Sequence, residues 1–205
     1  HDSTRCYCPE CQAAFQTWCR QRYGSLQALN EAWGTTFWSH VYTAWEQIPL
    51  PTDSVGISNP CLELDYDRFS SDQMISYARE QVDIIKGSSM APITTNLMGL
   101  GFDTVDYHRL AQDLDLVSWD NYPSFAGGTP SRVSFSHDVM RGLKGQPFWV
   151  MEEQSGPAGG AVATPTPVPG QIRLWSYQAK AHGADGIVYF RWRTCSFNSE
   201  EYWHG

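Results

Sequence analysis

The sequence predicts an α/β fold of parallel strand–helix units, specifically the second half of a (β/α)8 barrel. Three observations carry this expectation. Between residues 92 and 192, strand-like apolar runs alternate with helical periods, the order that builds a parallel sheet with helical crossovers. Four candidate strands end in polar or aromatic side chains: Thr95 and Asn96, Trp119 and Asp120, Glu152 and Glu153, and Arg191 to Arg193. Strand C-termini are where such barrels place their working groups. Finally, an eight-stranded barrel needs about 250 residues, whereas this chain has 205 and offers only half the strands. A doubly wound sheet is the alternative architecture, but it would usually carry a glycine-rich phosphate loop after a strand, and the sequence shows none.

The elements follow in order. Phe15, Trp18, Cys19 and Tyr23 form the apolar stripe of an amphipathic helix over residues 12–23, and a short helix over 25–33 is stopped by Gly34. Residues 35–61 carry aromatics and prolines without a period, which in a compact domain reads as a functional excursion. Helical period returns at Met74, Tyr77, Ala78, Val82 and Ile85 and closes at Gly87. Strands are then expected over 92–98, 114–119, 147–151 and 186–192, with helices over 105–112, 135–143 and 171–182 between them. The Pro-, Gly-, Ala- and Thr-rich stretch 156–170 reads as a long loop over the site, following the third strand.

Composition narrows the partners. A formal net charge of −8, with 14 scattered Lys and Arg, argues against nucleic acid, whose phosphates need clustered cations. No apolar run approaches the roughly 18 residues of a membrane span. Aromatics make up 14% of the chain and nine residues are Trp; Trp often lines sugar sites, although for any one of them a place in the core is the plainer reading. Electrostatics thus favours a neutral ligand such as a sugar.

Three of the six cysteines, Cys6, Cys8 and Cys11, crowd into a C-x-C-x-x-C cluster. That spacing suits one tetrahedral Zn2+ held by soft thiolates better than a disulfide, and a structural site wants a fourth ligand. Cys19, Cys61, Cys195 or a residue outside the chain are the candidates. Free thiols at this number also suit a reducing cytoplasm.

Cleaving a glycosidic bond with retention takes two carboxyl groups about 5 to 5.5 Å apart, one attacking the anomeric carbon and one protonating the leaving oxygen. Glu152 and Glu153, at the end of the third candidate strand, are the candidates for the attacking group. Alternation lets only one of them face the barrel axis, and parity alone does not choose between them.

Several segments together resemble glycoside hydrolase family 42, the bacterial cytoplasmic β-galactosidases. They are His1-Asp2-Ser3-Thr4-Arg5-Cys6-Tyr7-Cys8, Arg22-Tyr23-Gly24-Ser25-Leu26, Asn30-Glu31-Ala32-Trp33-Gly34-Thr35, Phe37-Trp38-Ser39, Thr94-Thr95-Asn96, Ser118-Trp119-Asp120-Asn121-Tyr122-Pro123, Phe148-Trp149-Val150-Met151-Glu152, Arg173-Leu174-Trp175 and His182-Gly183-Ala184. The resemblance runs over essentially the whole chain, residues 1–205, as strands 5 to 8 of the barrel with a preceding zinc-binding segment. It implies a retaining enzyme removing terminal β-D-galactosyl residues, with Glu152 as nucleophile because the family's nucleophile directly follows Met. The acid/base Glu would lie in an Asn-Glu-Tyr-Gly motif just before His1, leaving this chain inactive alone. Trp38 resembles a Trp lining the galactose pocket, and Asp120 with Tyr122 the strand-end pair beside the nucleophile.

Asn96 and Trp192 join these as strand-end candidates for binding the sugar, and the resemblance adds Glu200 and His204 as holders of its hydroxyls. It also implies a fourth zinc-binding Cys from an earlier strand and a homotrimer. The family commonly has Gln after the nucleophile and an Asn-Trp pair in the next loop; here Glu153 and Gly159-Gly160 stand there. Two other readings compete: a non-catalytic, zinc-stabilised sugar-binding fragment, and an α-L-arabinopyranosidase.

Overall fold

A computed structural model describes residues 5–52, 58–124, 129–158, 165–197 and 200–201. The chain forms two compact units, residues 1–77 with 104–106 and residues 78–103 with 107–205.

The first unit is helical. Helix α1 spans Pro9–Tyr23, starting three residues before the expected residue 12 because Cys8 caps it: its Sγ accepts the Cys11 amide at 3.4 Å, and Pro9 occupies the first turn, where no backbone donor is needed. Ser25 caps α2 (Leu26–Trp33) through the Ala28 amide, and Gly34 ends it in the left-handed region with φ 61°. Phe15, Cys19, Leu29 and Trp33 pack with Leu62, Tyr66 and Phe69 from the long helix α3, Pro60–Lys86. That helix begins well before residue 74. The signal was present as Leu62, Tyr66 and Phe69 at i, i+4, i+7, interleaved with acidic residues that mask the stripe.

The aperiodic segment is tied to this core. Ile48 and Leu50 are buried in it, the Asn30 side chain bonds both the Tyr42 carbonyl (2.8 Å) and the Tyr42 amide (2.9 Å), and short 3-10 turns form at Phe37–Ser39 and Trp45–Gln47. Side chains thus supply the backbone partners that a regular element would have provided. The buried Asp65 accepts from the Trp33 indole at 2.9 Å, from the Tyr23 hydroxyl and from Arg68 at 2.9 Å.

The second unit contains one parallel sheet. Strands β1 (Asn96–Leu97), β2 (Ser118–Asn121), β3 (Phe148–Gln154) and β4 (Ala184–Phe190) pair in sequential order. Between them lie α4 (Tyr107–Leu110), α5 (Pro130–Lys144) and α6 (Gln171–Ala181). This is the α/β strand–helix alternation read from the sequence.

The expected first strand shrinks to two residues. Pro92 has no amide hydrogen, the Ile93 amide is taken by the Asp115 carboxylate at 2.8 Å, and the Thr94 hydroxyl caps the Leu116 carbonyl at 2.9 Å, so upstream of Asn96 side-chain bonds stand beside the backbone bond from the Asp115 amide to the Ile93 carbonyl at 2.9 Å and interrupt the ladder. The helix expected over 105–112 is one α-turn followed by a 3-10 turn at Ala111–Asp113.

Leu97, Val117, Trp119, Val133, Met140, Phe148, Val150, Trp175 and Ala179 are buried between sheet and helices. Gly186 is required where it stands: a Cβ there would come within 2.4 Å of the Trp149 ring on the neighbouring strand. Among the described residues no helix is long and apolar enough to cross a membrane.

Candidate active site

An irregularity in β3 determines what the strand end presents. Ser118 pairs with Trp149 and Trp119 with Val150, but the next pairs are Asp120 with Glu152 and Asn121 with Glu153, so Met151 is an extra residue on β3. An extra residue inverts the facing of everything beyond it. Simple alternation from the buried Phe148 and Val150 would send Glu152 toward the helices; the insertion instead sets it beside Asp120. Glu153 falls beside Asn121 on the other face.

Both oxygens of the half-buried Glu152 are bonded. The Asn96 amide donates to Oε1 at 3.0 Å and the Tyr122 hydroxyl to Oε2 at 2.7 Å. The tyrosine hydroxyl is raised far above its ordinary range by burial, by its bond to Glu152 and by the nearby carboxylates, so it remains a donor. Asp120 shares the Asn96 amide, yet its Oδ1 is buried without a hydrogen-bond partner. Burial first, and the Glu152 charge second, push its carboxyl up to about 7. Four of the residues singled out from the sequence, Asn96, Asp120, Tyr122 and Glu152, therefore converge on one strand-end cluster.

Glu153 is 0% exposed, and the Asn121 amide donates to both of its oxygens, at 3.1 and 3.2 Å. Burial pushes its carboxyl up to about 8. The next residue, the buried Gln154, accepts the Ser124 amide at 3.1 Å and donates to the Gly156 carbonyl at 2.8 Å, tying together the chain segments that leave β2 and β3. Its role was not visible in the sequence, where it reads as one more polar residue at a strand end.

Of the remaining candidates, Glu200 lies near enough for its charge to raise the Tyr122 hydroxyl. Trp192, just beyond β4, is 95% exposed. The Glu200 carboxylate is paired with Arg191 at 2.9 Å, and Arg191 also bonds the Glu200 carbonyl at 2.8 Å. His204 and Gly159-Gly160 lie outside the described residues. Trp38 belongs to the first unit, where it is exposed, packs against Phe37 with ring centroids 4.8 Å apart, and has a left-handed backbone, φ 57°. Such a conformation is uncommon for a bulky residue and tends to occur at functional positions.

The thiol sulfurs of Cys6, Cys8 and Cys11 all lie within 4.8 Å of one another. Burial, then the hydrogen bonds its thiol donates to the other two cysteines and their charge, push Cys11 up to about 12, so its neutral form is favoured there. The donor set is right for Zn2+, which takes thiolates at about 2.3 Å in a tetrahedron. Among the described residues no fourth His, Cys, Asp or Glu joins the group.

The parallel sheet of strand–helix units, with Asp120 and Glu152 at its C-terminal end, has the α/β class of half a (β/α)8 barrel. The family model of the glycoside hydrolase family 42 β-galactosidases matches residues 1–205, and the chain belongs to that family. It is 44% identical to a β-galactosidase of Thermus thermophilus, over 98% of this chain and 34% of the relative. It is 42% identical to one of Haloferax lucentense, over 100% and 33%.

The solved β-galactosidase of Halorubrum lacusprofundi superposes with a TM-score of 0.94 at 39% identity, covering 100% of this chain and 33% of that one. The catalytic domain of a Paenibacillus polymyxa β-amylase, at 18% identity and a TM-score of 0.62, shares the fold alone. The chain spans about a third of the length of these β-galactosidases.

Proposed function

We propose that these residues are the nucleophile-bearing part of a retaining β-galactosidase, with Glu152 attacking the anomeric carbon of a terminal β-D-galactosyl residue. The observation that carries this reading is the hydrogen bonding of Glu152, whose two oxygens accept from Asn96 and Tyr122 at 3.0 and 2.7 Å. These bonds fix the direction of the carboxylate, as a group that must attack the anomeric carbon requires.

Attack forms the Glu152–sugar bond as the bond to the leaving oxygen breaks, and a second carboxyl protonates that oxygen. The same carboxyl then takes a proton from water as the water displaces Glu152 with a second inversion. The proton donor is assigned to a Glu outside these residues, so the chain by itself is expected to be inactive. Trp38, Asn96, Asp120, Tyr122, Trp192, Glu200 and His204 are the candidates for binding the sugar. Of these, Glu200 would have to exchange its Arg191 pairing for a hydroxyl contact. Cys6, Cys8 and Cys11 would hold a structural Zn2+ with a fourth ligand from elsewhere, and the intact protein would be a cytoplasmic homotrimer.

Azide rescue tests the nucleophile. Glu152→Ala in the full-length enzyme is expected to lose at least about a thousandfold in kcat, and azide should restore turnover and release the inverted galactosyl azide. If Glu153→Ala alone showed this rescue, the nucleophile would be Glu153. Comparing kcat/KM for aryl β-galactosides and α-L-arabinopyranosides on the same enzyme decides which sugar is preferred.

A further inference from the structure

Asp120 and Glu152 are paired across β2 and β3, and their carboxyl groups emerge on the same face. Like charges so placed, partly out of water, do not both ionise readily, and one group tends to keep a proton. Their hydrogen bonding decides which one. Glu152 receives two good donors, one on each oxygen. Asp120 has only a share of the Asn96 amide, and its buried Oδ1 has no partner. An ionised Asp120 would leave charge on an unmatched buried oxygen, whereas an ionised Glu152 is matched on both.

We propose that Asp120 is a positioning residue that holds the proton of a two-carboxyl, one-charge pair, and so keeps both the charge and the shared Asn96 amide on the attacking Glu152. This rests on the reading of Glu152 as the nucleophile.

The titratable groups facing Asp120 are Glu152 on β3, Tyr122 beyond the end of β2, and Tyr107 on α4. Both tyrosines are raised by burial and stay neutral, so the only charge among them is that of Glu152. With Asp120 pushed up to about 7, the pair carries one charge on the acid side of that value. On the alkaline side Asp120 ionises as well, competes for the Asn96 amide and sets a second negative charge beside the nucleophile.

The test is a 13C-carboxyl NMR titration of Asp120 in the full-length enzyme, as wild type and as Glu152→Gln, together with the pH profile of kcat for Asp120→Asn. The wild-type Asp120 should titrate near neutrality, and removal of the Glu152 charge should lower its midpoint by about one unit or more. Asp120→Asn, which cannot ionise, should lower kcat by about tenfold and lack the inflection near neutrality that the wild type shows.

Asp120 titrating in the ordinary carboxylate range, or a midpoint unmoved by Glu152→Gln, would overturn the proposal. So would loss of all turnover in a folded Asp120→Asn at every pH, since Asp120 would then act as an anion. The NMR coupling is read without turnover. A failure of azide rescue at Glu152 therefore counts against the nucleophile assignment, and an absent coupling counts against the proton pair.

Discussion

Glu152 and Glu153 differ by one position and occupy opposite environments, one half-buried and bonded by two donors, the other sealed against Asn121. Glu153 has its own consequence for stability. Its carboxyl, 4.5 in the unfolded chain and about 8 when folded, keeps a proton in the native state that the unfolded chain gives up. The stability it contributes is complete below about 4.5 and is lost progressively as pH rises through 8. Glu153→Gln should remove this decline and raise stability at pH 8 relative to pH 5 by on the order of several kcal/mol, measured by urea denaturation at the two pH values. An unchanged pH slope would mean that Glu153 is charged in the fold. From the residues alone the two glutamates could not be separated, because alternation along an isolated strand has no origin. The resemblance to the family favoured Glu152, and the position of the extra residue explains in physical terms why that carboxylate faces Asp120.

At the scale of elements, the irregularity in β3 is Met151. Deleting it should restore an unbroken register in which Glu152 directly follows Val150 and still pairs with Asp120, so the variant should keep both its far-UV circular dichroism signature and measurable kcat. Activity at background in a folded deletion variant would show that pairing with Asp120 alone does not place Glu152.

The packing of α5 on the sheet carries a second testable feature. His137 is 0% exposed, stacks on Phe148 with ring centroids 5.4 Å apart, and has no hydrogen-bond partner on either ring nitrogen. Burial, and next the neighbouring His182, lower it from 6.5 to about 4, so it stays neutral in the fold while the unfolded chain takes up a proton. Its contribution is present above about 6.5 and is lost as pH falls through 4. His137→Phe should therefore flatten the acid limb of the stability profile and cost less than about 1.5 kcal/mol at neutral pH. A steeper acid limb would contradict it. At the start of α1, Cys8→Ser keeps a side-chain acceptor for the helix cap but removes one of the three clustered thiols, so it should bind Zn2+ more weakly than the wild type in a metal titration.

For the whole molecule, the 205 residues should hydrolyse no aryl β-galactoside when expressed alone, and gain activity when joined to the strands that carry a proton-donating Glu. Turnover by the isolated chain would place the acid/base among the residues described above. What the sequence by itself determined is the strand–helix alternation, the clustering of Cys6, Cys8 and Cys11, the polar ends of the strands and the family. These are local periodicities and spacings, which short-range sterics and ligand chemistry set without reference to the rest of the chain. Only the tertiary structure decided which of two adjacent glutamates meets Asn96, Asp120 and Tyr122, that β1 is two residues long, and that Ile48 and Leu50 are core. Those outcomes depend on register and on competition for backbone partners between segments more than twenty residues apart, such as Asp115 with Ile93 and Asn96 with Glu152, and such pairings exist only once the sheet has formed.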